Sequence, residues 1–375
     1  MIQSTQPVAA ASGRLAVLIS FSGAGGVERM VTNLLEAIAG DGRSVDLLLI
    51  RQRGEHLREL PGAVRLVPLG ARHTATSLLP LIRYLRRERP AVLLAAKDRA
   101  GRIALLARAL ARVDTRVAIR LGTHLSASLQ GRGRWRRWTR MVPMKLMYRW
   151  ADRVIAVSRG VAEDTLRITG LPPERVTVVH NPVITPALYE QSRAPCGHPW
   201  IEEPDRPVVL AAGRLTRQKD FATLIRAFAR VRDRRSCRLI VLGEGGLRGE
   251  LERLAERLGV TPDLDMPGFT PNPYAFMRRA HLFVLSSAWE GSPNVLTEAL
   301  ALGTPVVATD CPSGPREILD GGRIAPLVPV GDDRALAQAM MAVLAAPPSS
   351  EQLRSAATDY TAEASARRYL EVLGA

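Results

Sequence analysis

The sequence predicts an α/β protein built from two doubly wound parallel sheets. Short apolar stretches of strand length alternate with segments of helical period along the whole chain. A proline-rich stretch divides that alternation into two halves, and 375 residues with a hydrophobic fraction of 46% suffice for two cores.

In the first half, strands are expected at 14–20, 45–50, 64–68, 91–95, 116–121, 153–157 and 176–180, with helices between them. A glycine loop, Gly23 to Gly26, follows the first strand and opens a helix at Val27. Glycines there let a substrate approach the backbone closely. Asn181-Pro182 opens the proline-rich stretch, which runs through Pro186, Pro195, Pro199 and Pro204. The expected division is a first domain over 1–190, a linker over 191–206, a second domain over 207–358 and a closing helix within 359–375. Strands of the second half are expected at 208–212, 238–242, 264–267, 282–285, 305–308 and 324–328.

Two segments of the second half carry chemistry. Gly213-Arg214 ends a buried strand and Lys219 precedes a helix, so two cations stand at the carboxyl edge of a parallel sheet, where ligands bind. Aimed at one diphosphate, they would stabilise a leaving nucleotide without a metal, and none is expected. Further on, Glu290-Gly-Ser292-Pro293-Asn294-Val-Leu-Thr-Glu298 follows another strand. Ser292-Pro293 reads as an N-cap followed by proline in the first helical position. The N–H groups of Asn294, Val295 and Leu296 would then face an anion. Glu298 would accept hydrogen bonds from vicinal hydroxyls of a ribose, and Glu290 would face the transferred group. Weaker features are Gly243 to Gly249, read as a second phosphate-side turn, and Phe269, in a loop suited to a nucleotide base. Asp263 and Asp265 read as solvated carboxylates at the start of a strand.

The run from Glu290 to Asp310 resembles the signature of the retaining GT-B glycosyltransferases of family 4, the group 1 glycosyltransferases, with its paired glutamates. Gly213-Arg214 and Lys219 are similar to that family's diphosphate-binding pair, and the likeness extends from Gly25-Gly26-Val27-Glu28 to Arg316-Glu317-Ile318. The resemblance implies two Rossmann-like domains facing across a cleft, with the closing helix packed back on the first. It implies a nucleoside-diphosphate sugar as donor, Gly25 and Gly26 beneath the diphosphate and acceptor, and His124 beside the donor sugar. It also implies retention by same-face attack, in which the leaving phosphate takes the acceptor's proton; a covalent intermediate on Glu290 is the alternative. Asp310-Cys-Pro-Ser-Gly-Pro-Arg316 looks like a run found in N-acetylhexosamine transferases.

Charge is distributed unevenly. Residues 1–190 hold 30 Lys and Arg against 14 Asp and Glu, while the remainder holds 22 of each, so the net charge of +16 belongs to the first half. Residues 131–150 contain seven basic side chains, no acid, and Trp135, Trp138 and Trp150. This composition suits an anionic bilayer surface, and a lipid-linked, polyprenyl-diphosphate saccharide is the expected acceptor. A nucleic-acid groove and an arginine-rich compositional bias are the other readings; no nucleic-acid-binding signature accompanies the patch. Pro143 is expected to divide the stretch into a basic loop and a short helix.

Cys196, Cys237 and Cys311 are odd in number and far apart, which argues against a disulfide framework or zinc site. The amino end lacks the pattern of a secretory signal, and no apolar run is long enough to span a bilayer. A cytoplasmic enzyme at the membrane face is expected. A sugar-nucleotide epimerase on the same fold, or a noncatalytic membrane or nucleic-acid adaptor, are the competing functions.

Overall fold

The computed structural model describes residues 14–20, 25–51 and 60–375. The amino-terminal segment read for a signal, and Gly23 of the first loop, lie outside the described residues. The chain divides into two compact units, one of residues 1–182 and 361–375 and the other of 183–360.

Among the described residues the first unit has seven parallel strands: β1 (Leu15–Ile19), β2 (Val45–Leu49), β3 (Val64–Pro68), β4 (Val92–Ala95), β5 (Arg116–Leu121), β6 (Arg153–Ala156) and β7 (Val176–Val178). Their order is β3-β2-β1-β4-β5-β6-β7. The second unit has β8 (Val208–Ala212), β9 (Arg238–Leu242), β10 (Leu264–Gly268), β11 (Leu282–Leu285), β12 (Val306–Thr309) and β13 (Leu327–Val328), in the order β10-β9-β8-β11-β12-β13. Central strands such as Leu-Ala-Val-Leu-Ile in β1 and Val-Val-Leu-Ala-Ala in β8 are buried at every position. Helices cover both faces of each sheet, so these strands are continuously apolar rather than alternating. Chain order reverses between β1 and β4 in one sheet and between β8 and β11 in the other. The carboxyl ends of those strands are therefore the places each unit offers a ligand.

The helix Ala362–Leu373 belongs to the first unit, where Ala366, Tyr369, Leu370 and Leu373 join the core formed by β1, β2 and the helix Gly26–Gly40.

Residues 191–206, expected as a linker, lie inside the second unit. They carry the end of the helix Pro186–Arg193 and the helix Pro199–Glu202. Leu188 and Ile201 are buried in the core beneath β8 and β11, and the His198 ring sits 2.8 Å from Asp265 Oδ2. Arg206 donates to Asp263 Oδ1 at 2.8 Å, and Arg232 to Asp263 Oδ2 at 3.0 Å. Asp263 is thus a buried ion-pair partner that fastens this segment, not a solvated carboxylate, while Asp265 stays partly exposed beside the His198 ring. Of the prolines that read as a linker signal, Pro186 and Pro199 stand at helix starts, where the missing N–H costs nothing.

The 131–150 stretch also differs from expectation. Residues Arg134–Met147 form one helix with Pro143 inside it. Proline removes one intrahelical bond, but Met144 and Tyr148 are buried just beyond it, and Tyr148 donates to Asp98 Oδ1 at 3.0 Å. That anchorage offsets a cost of about 3 kcal/mol. Among the described residues no helix is long and apolar enough to cross a membrane.

Candidate active site

The site of the second unit is assembled from two turns that leave adjacent strands. β8 is followed by Gly213, whose amide donates to Leu242 O at 2.9 Å. Gly213 has φ +154°, a backbone conformation that favours glycine, and a Cβ there would lie 2.9 Å from Lys219 Cε, which folds back over the turn. The neighbouring turn after β9 packs backbone to backbone against it: a Cβ at Gly243 would sit 2.1 Å from Gly213 O, and one at Gly245 would sit 2.3 Å from Leu215 O. Gly243 and Gly245 thus let the two turns pack closely.

Lys219 Nζ donates to Glu290 Oε1 at 2.6 Å. The same oxygen accepts from Ser287 Oγ at 2.7 Å, and Oε2 accepts from Gln218 Nε2 at 3.3 Å. Gln218 also donates to Trp289 O, and Ala288 donates to Gln218 O at 2.8 Å, which ties the β8 turn to the loop after β11. Glu290 is only 6% exposed, so its charge is stabilised by these donors rather than by water. Sequence reading placed Lys219 on a diphosphate and Glu290 on a sugar as separate contacts; the structure joins them. It passed over Gln218 and Ser287, for which the available signals were adjacency to Lys219 and a spacing of three from Glu290.

Arg214 shares the turn with Lys219, but its side chain is exposed and makes no hydrogen bond or ion pair among the described residues. Glu298 lies farther along, buried on the helix Asn294–Ala301. The start of that helix corrects the expectation for Ser292-Pro293. Pro293 itself occupies the cap position, no side chain caps the helix, and Leu296 N donates to Pro293 O at 3.0 Å. A tight first turn thus consumes the Leu296 N–H that was expected to face an anion. The loop after β12 closes on this turn, with Ser313 Oγ donating to Gly291 O at 2.9 Å. Gly314 has φ +93°, and a Cβ there would meet Pro293 Cδ at 2.6 Å, so the position is restricted to glycine. Cys311 is buried within the same loop, its thiol pushed up to about 12 by burial and by the nearby Glu290 charge. Phe269, after β10, leaves half of its surface exposed.

In the first unit, Gly25 caps the helix Gly26–Gly40, and a Cβ on it would lie 2.6 Å from Glu28 Oε2. Glu28 is buried and accepts from Lys97 Nζ at 3.0 Å. His124 caps the short helix Leu125–Ser128, its Nδ1 accepting from Ala127 N at 3.2 Å. The same nitrogen lies 3.4 Å from Asp164 Oδ2. Capping requires a bare Nδ1 and pairing requires Nδ1–H, so the two roles exclude each other. Burial raises the Asp164 carboxyl, but hydrogen bonds from Ser126 and Arg167 outweigh it and hold the group below its ordinary range. The structure thus gives His124 a local capping role that a single histidine after a strand did not reveal.

The helix Arg134–Met147 projects its aromatic residues outward. Trp135 is 71% and Trp138 56% exposed, and their rings stack with centroids 5.3 Å apart.

Comparison with known proteins places these features in a family. Residues 199–360 match the family model of the group 1 glycosyl transferases, and residues 24–185 match that of glycosyltransferase family 4. The lipopolysaccharide core biosynthesis glycosyltransferase LpsE of Rhizobium meliloti is 30% identical over 327 residues, 86% of each chain. The Campylobacter jejuni N-acetylgalactosamine-N,N'-diacetylbacillosaminyl-diphospho-undecaprenol 4-alpha-N-acetylgalactosaminyltransferase is 31% identical over 201 residues, 54% of this chain and 53% of that enzyme. A 44% identical match to an uncharacterized glycosyltransferase of Methanocaldococcus jannaschii spans 31% of this chain and 29% of that protein, so the chain spans less than two thirds of these last two relatives. Anabaena HepE in complex with UDP shares the fold, with a TM-score of 0.75, 19% identity and coverage of 96% of this chain and 99% of that one. With two parallel-sheet units of this topology and relatives along most of its length, the chain belongs to the group 1, family 4 glycosyltransferases of GT-B fold.

Proposed function

We propose that the chain is a retaining glycosyltransferase that moves a sugar, most simply an N-acetylhexosamine, from a nucleoside-diphosphate sugar to a polyprenyl-diphosphate-linked saccharide at the cytoplasmic membrane face. The Lys219–Glu290 pair beside the uncommitted Arg214 carries this reading. As the sugar–oxygen bond breaks, negative charge grows on the departing diphosphate. Arg214 is open to receive it, and Lys219 has two further N–H donors beyond the one given to Glu290. In this scheme the cations supply the charge stabilisation, with no metal ion invoked. Glu298 would hold the ribose, Phe269 would meet the base, and the N–H groups of Asn294 and Val295 would face the diphosphate.

Glu290 already accepts three hydrogen bonds, one from an ammonium group. A carboxylate so engaged is a poor nucleophile and a good acceptor for a sugar hydroxyl exchanged against one of these donors. This favours same-face attack, the leaving phosphate oxygen taking the acceptor's proton, over a covalent glycosyl-Glu290 species. The sugar class is supported by the run from Asp310 to Arg316 and by the N-acetylgalactosaminyltransferase relative. Surface docking is supported by Trp135, Trp138, Leu146 and Trp150, all more than half exposed on or beside a helix bearing Arg134, Arg136, Arg137, Arg140 and Lys145. Each cation near an anionic leaflet contributes about 1 kcal/mol.

The test is a panel of UDP-, GDP- and ADP-sugars, first with water and then with a polyprenyl-diphosphate-linked N-acetylhexosamine in detergent micelles as acceptor. Transfer with retained anomeric configuration supports the proposal. A product from the sugar nucleotide alone that keeps its nucleotide identifies an epimerase instead.

A further inference from the structure

The two oxygens of the Glu290 carboxylate are not equivalent. Oε1 accepts from Lys219 Nζ at 2.6 Å and from Ser287 Oγ at 2.7 Å, which fills both of its lone-pair directions. Oε2 accepts one bond among the described residues, from Gln218 Nε2 at 3.3 Å. The carboxylate thus keeps its spare lone pair on Oε2, and a sugar hydroxyl can bond there without displacing Lys219.

Gln218 precedes Lys219 in the turn after β8, and three of its atoms grip the loop after β11. Its carbonyl oxygen accepts from Ala288 N at 2.8 Å. Its side-chain nitrogen reaches Trp289 O at 3.1 Å as well as Glu290 Oε2. Both of those partners are acceptors, so the amide nitrogen and not the amide oxygen faces them, and each takes one of its two N–H groups. One residue thereby holds three successive residues, Ala288, Trp289 and Glu290. From the other side Glu290 N donates to Pro312 O at 3.3 Å, which fixes the main chain but leaves the carboxylate to turn about its own bond. With Oε1 pinned by Lys219 and Ser287, the direction of Oε2 depends on Gln218. An ammonium is a point charge that anchors without orienting, whereas a primary amide shared between a carbonyl and a carboxylate defines a plane.

We infer that Gln218 is a positioning residue for the transferred sugar: it aims Glu290 Oε2 and so sets which sugar hydroxyl the site selects. The inference rests on the transferase reading above, in which Glu290 holds the sugar.

Gln218→Met, Gln218→Glu and Glu290→Gln are compared with the unaltered chain by release of free nucleotide, using the donor selected by the sugar-nucleotide panel and its monodeoxy analogues. Gln218→Met keeps the length of the side chain and removes its donor. It should lower kcat/KM for the full donor about 10-fold, the scale of a lost hydrogen bond to a charged group. The hydroxyl held by Glu290 is the one missing from the analogue on which Glu290→Gln has least effect, and on that analogue Gln218→Met should have no effect either. Gln218→Glu sets a second carboxylate against Oε2, so turnover should be lost near neutral pH and regained as pH falls, when the two carboxylates share one proton. An equal loss on every analogue marks Gln218 as a brace between two loops and overturns the inference, as does turnover unaffected by Gln218→Met while Glu290→Gln is impaired. If Glu290→Gln itself releases nucleotide as the unaltered chain does, the transferase reading of the site fails and this inference falls with it.

Discussion

Lys219 Nζ and Glu290 Oε1 stand 2.6 Å apart although 71 residues separate them in sequence. The pair joins two turns of the second unit and neutralises a nearly buried carboxylate. Removing one partner therefore has two separable effects. Lys219→Met should lower stability by about 3 kcal/mol, because Glu290 is left buried without its cation. Replacing both, Lys219→Met with Glu290→Gln, should recover part of that stability while activity stays lost. A denaturant double-mutant cycle measures the recovery, and strictly additive losses would contradict direct coupling.

Arg214 has no internal partner among the described residues, so its replacement should be almost silent for the fold. Arg214→Ala is expected to leave the melting temperature unchanged and to lower kcat for donor consumption about 100-fold, the scale for removing one charge-stabilising donor. Steady-state kinetics beside a thermal melt checks both halves.

The strands were legible because buried parallel strands are short continuous apolar runs, and all thirteen occur near their expected positions. The largest discrepancy is at β13, which begins at Leu327 rather than at 324; only two residues there pair with β12. Less legible were features decided by contacts distant in sequence. Pro143 sits within a helix because Met144 and Tyr148 are anchored elsewhere, and residues 191–206 join the second unit because Ile201 finds a core and His198 finds Asp265. At the candidate site, residue types and turns were readable, but the direct bond between Lys219 and Glu290 was not. Motif spacing orders residues along the chain without giving the direction in which a side chain folds back.

The proposed membrane docking through the basic helix should depend on salt. The chain should float with phosphatidylglycerol vesicles at low ionic strength and be released as salt rises, since exposed charges are screened within about 10 Å at 0.1 M. Trp135→Ala with Trp138→Ala should abolish flotation at every salt concentration while leaving the fold intact, because neither ring is part of a core. Flotation unaffected by the double substitution would contradict this role.

Acid stability should depend on Asp46. Burial raises its carboxyl, but hydrogen bonds from Arg65 and Tyr84 and the charge of Arg14 outweigh that effect and hold it below its ordinary range. With the folded value below the unfolded one, its stabilisation is complete above about pH 4 and is lost as pH falls through the lowered folded value. Asp46→Asn should therefore lower the melting temperature at neutral pH, and the difference from the unaltered chain should narrow in acid. A constant difference across that range would show that Asp46 acts through packing alone.

The proposed grip on a nucleoside diphosphate uses Arg214 and Lys219 of the second unit while Glu290 holds the sugar. Its most direct measurement is release of free nucleotide from the preferred sugar nucleotide by the unaltered chain, by Lys219→Ala and by Glu290→Gln, each confirmed folded by its thermal melt. Turnover is expected in the first and a loss of about 100-fold or more in the other two. Turnover preserved in both folded variants would contradict it.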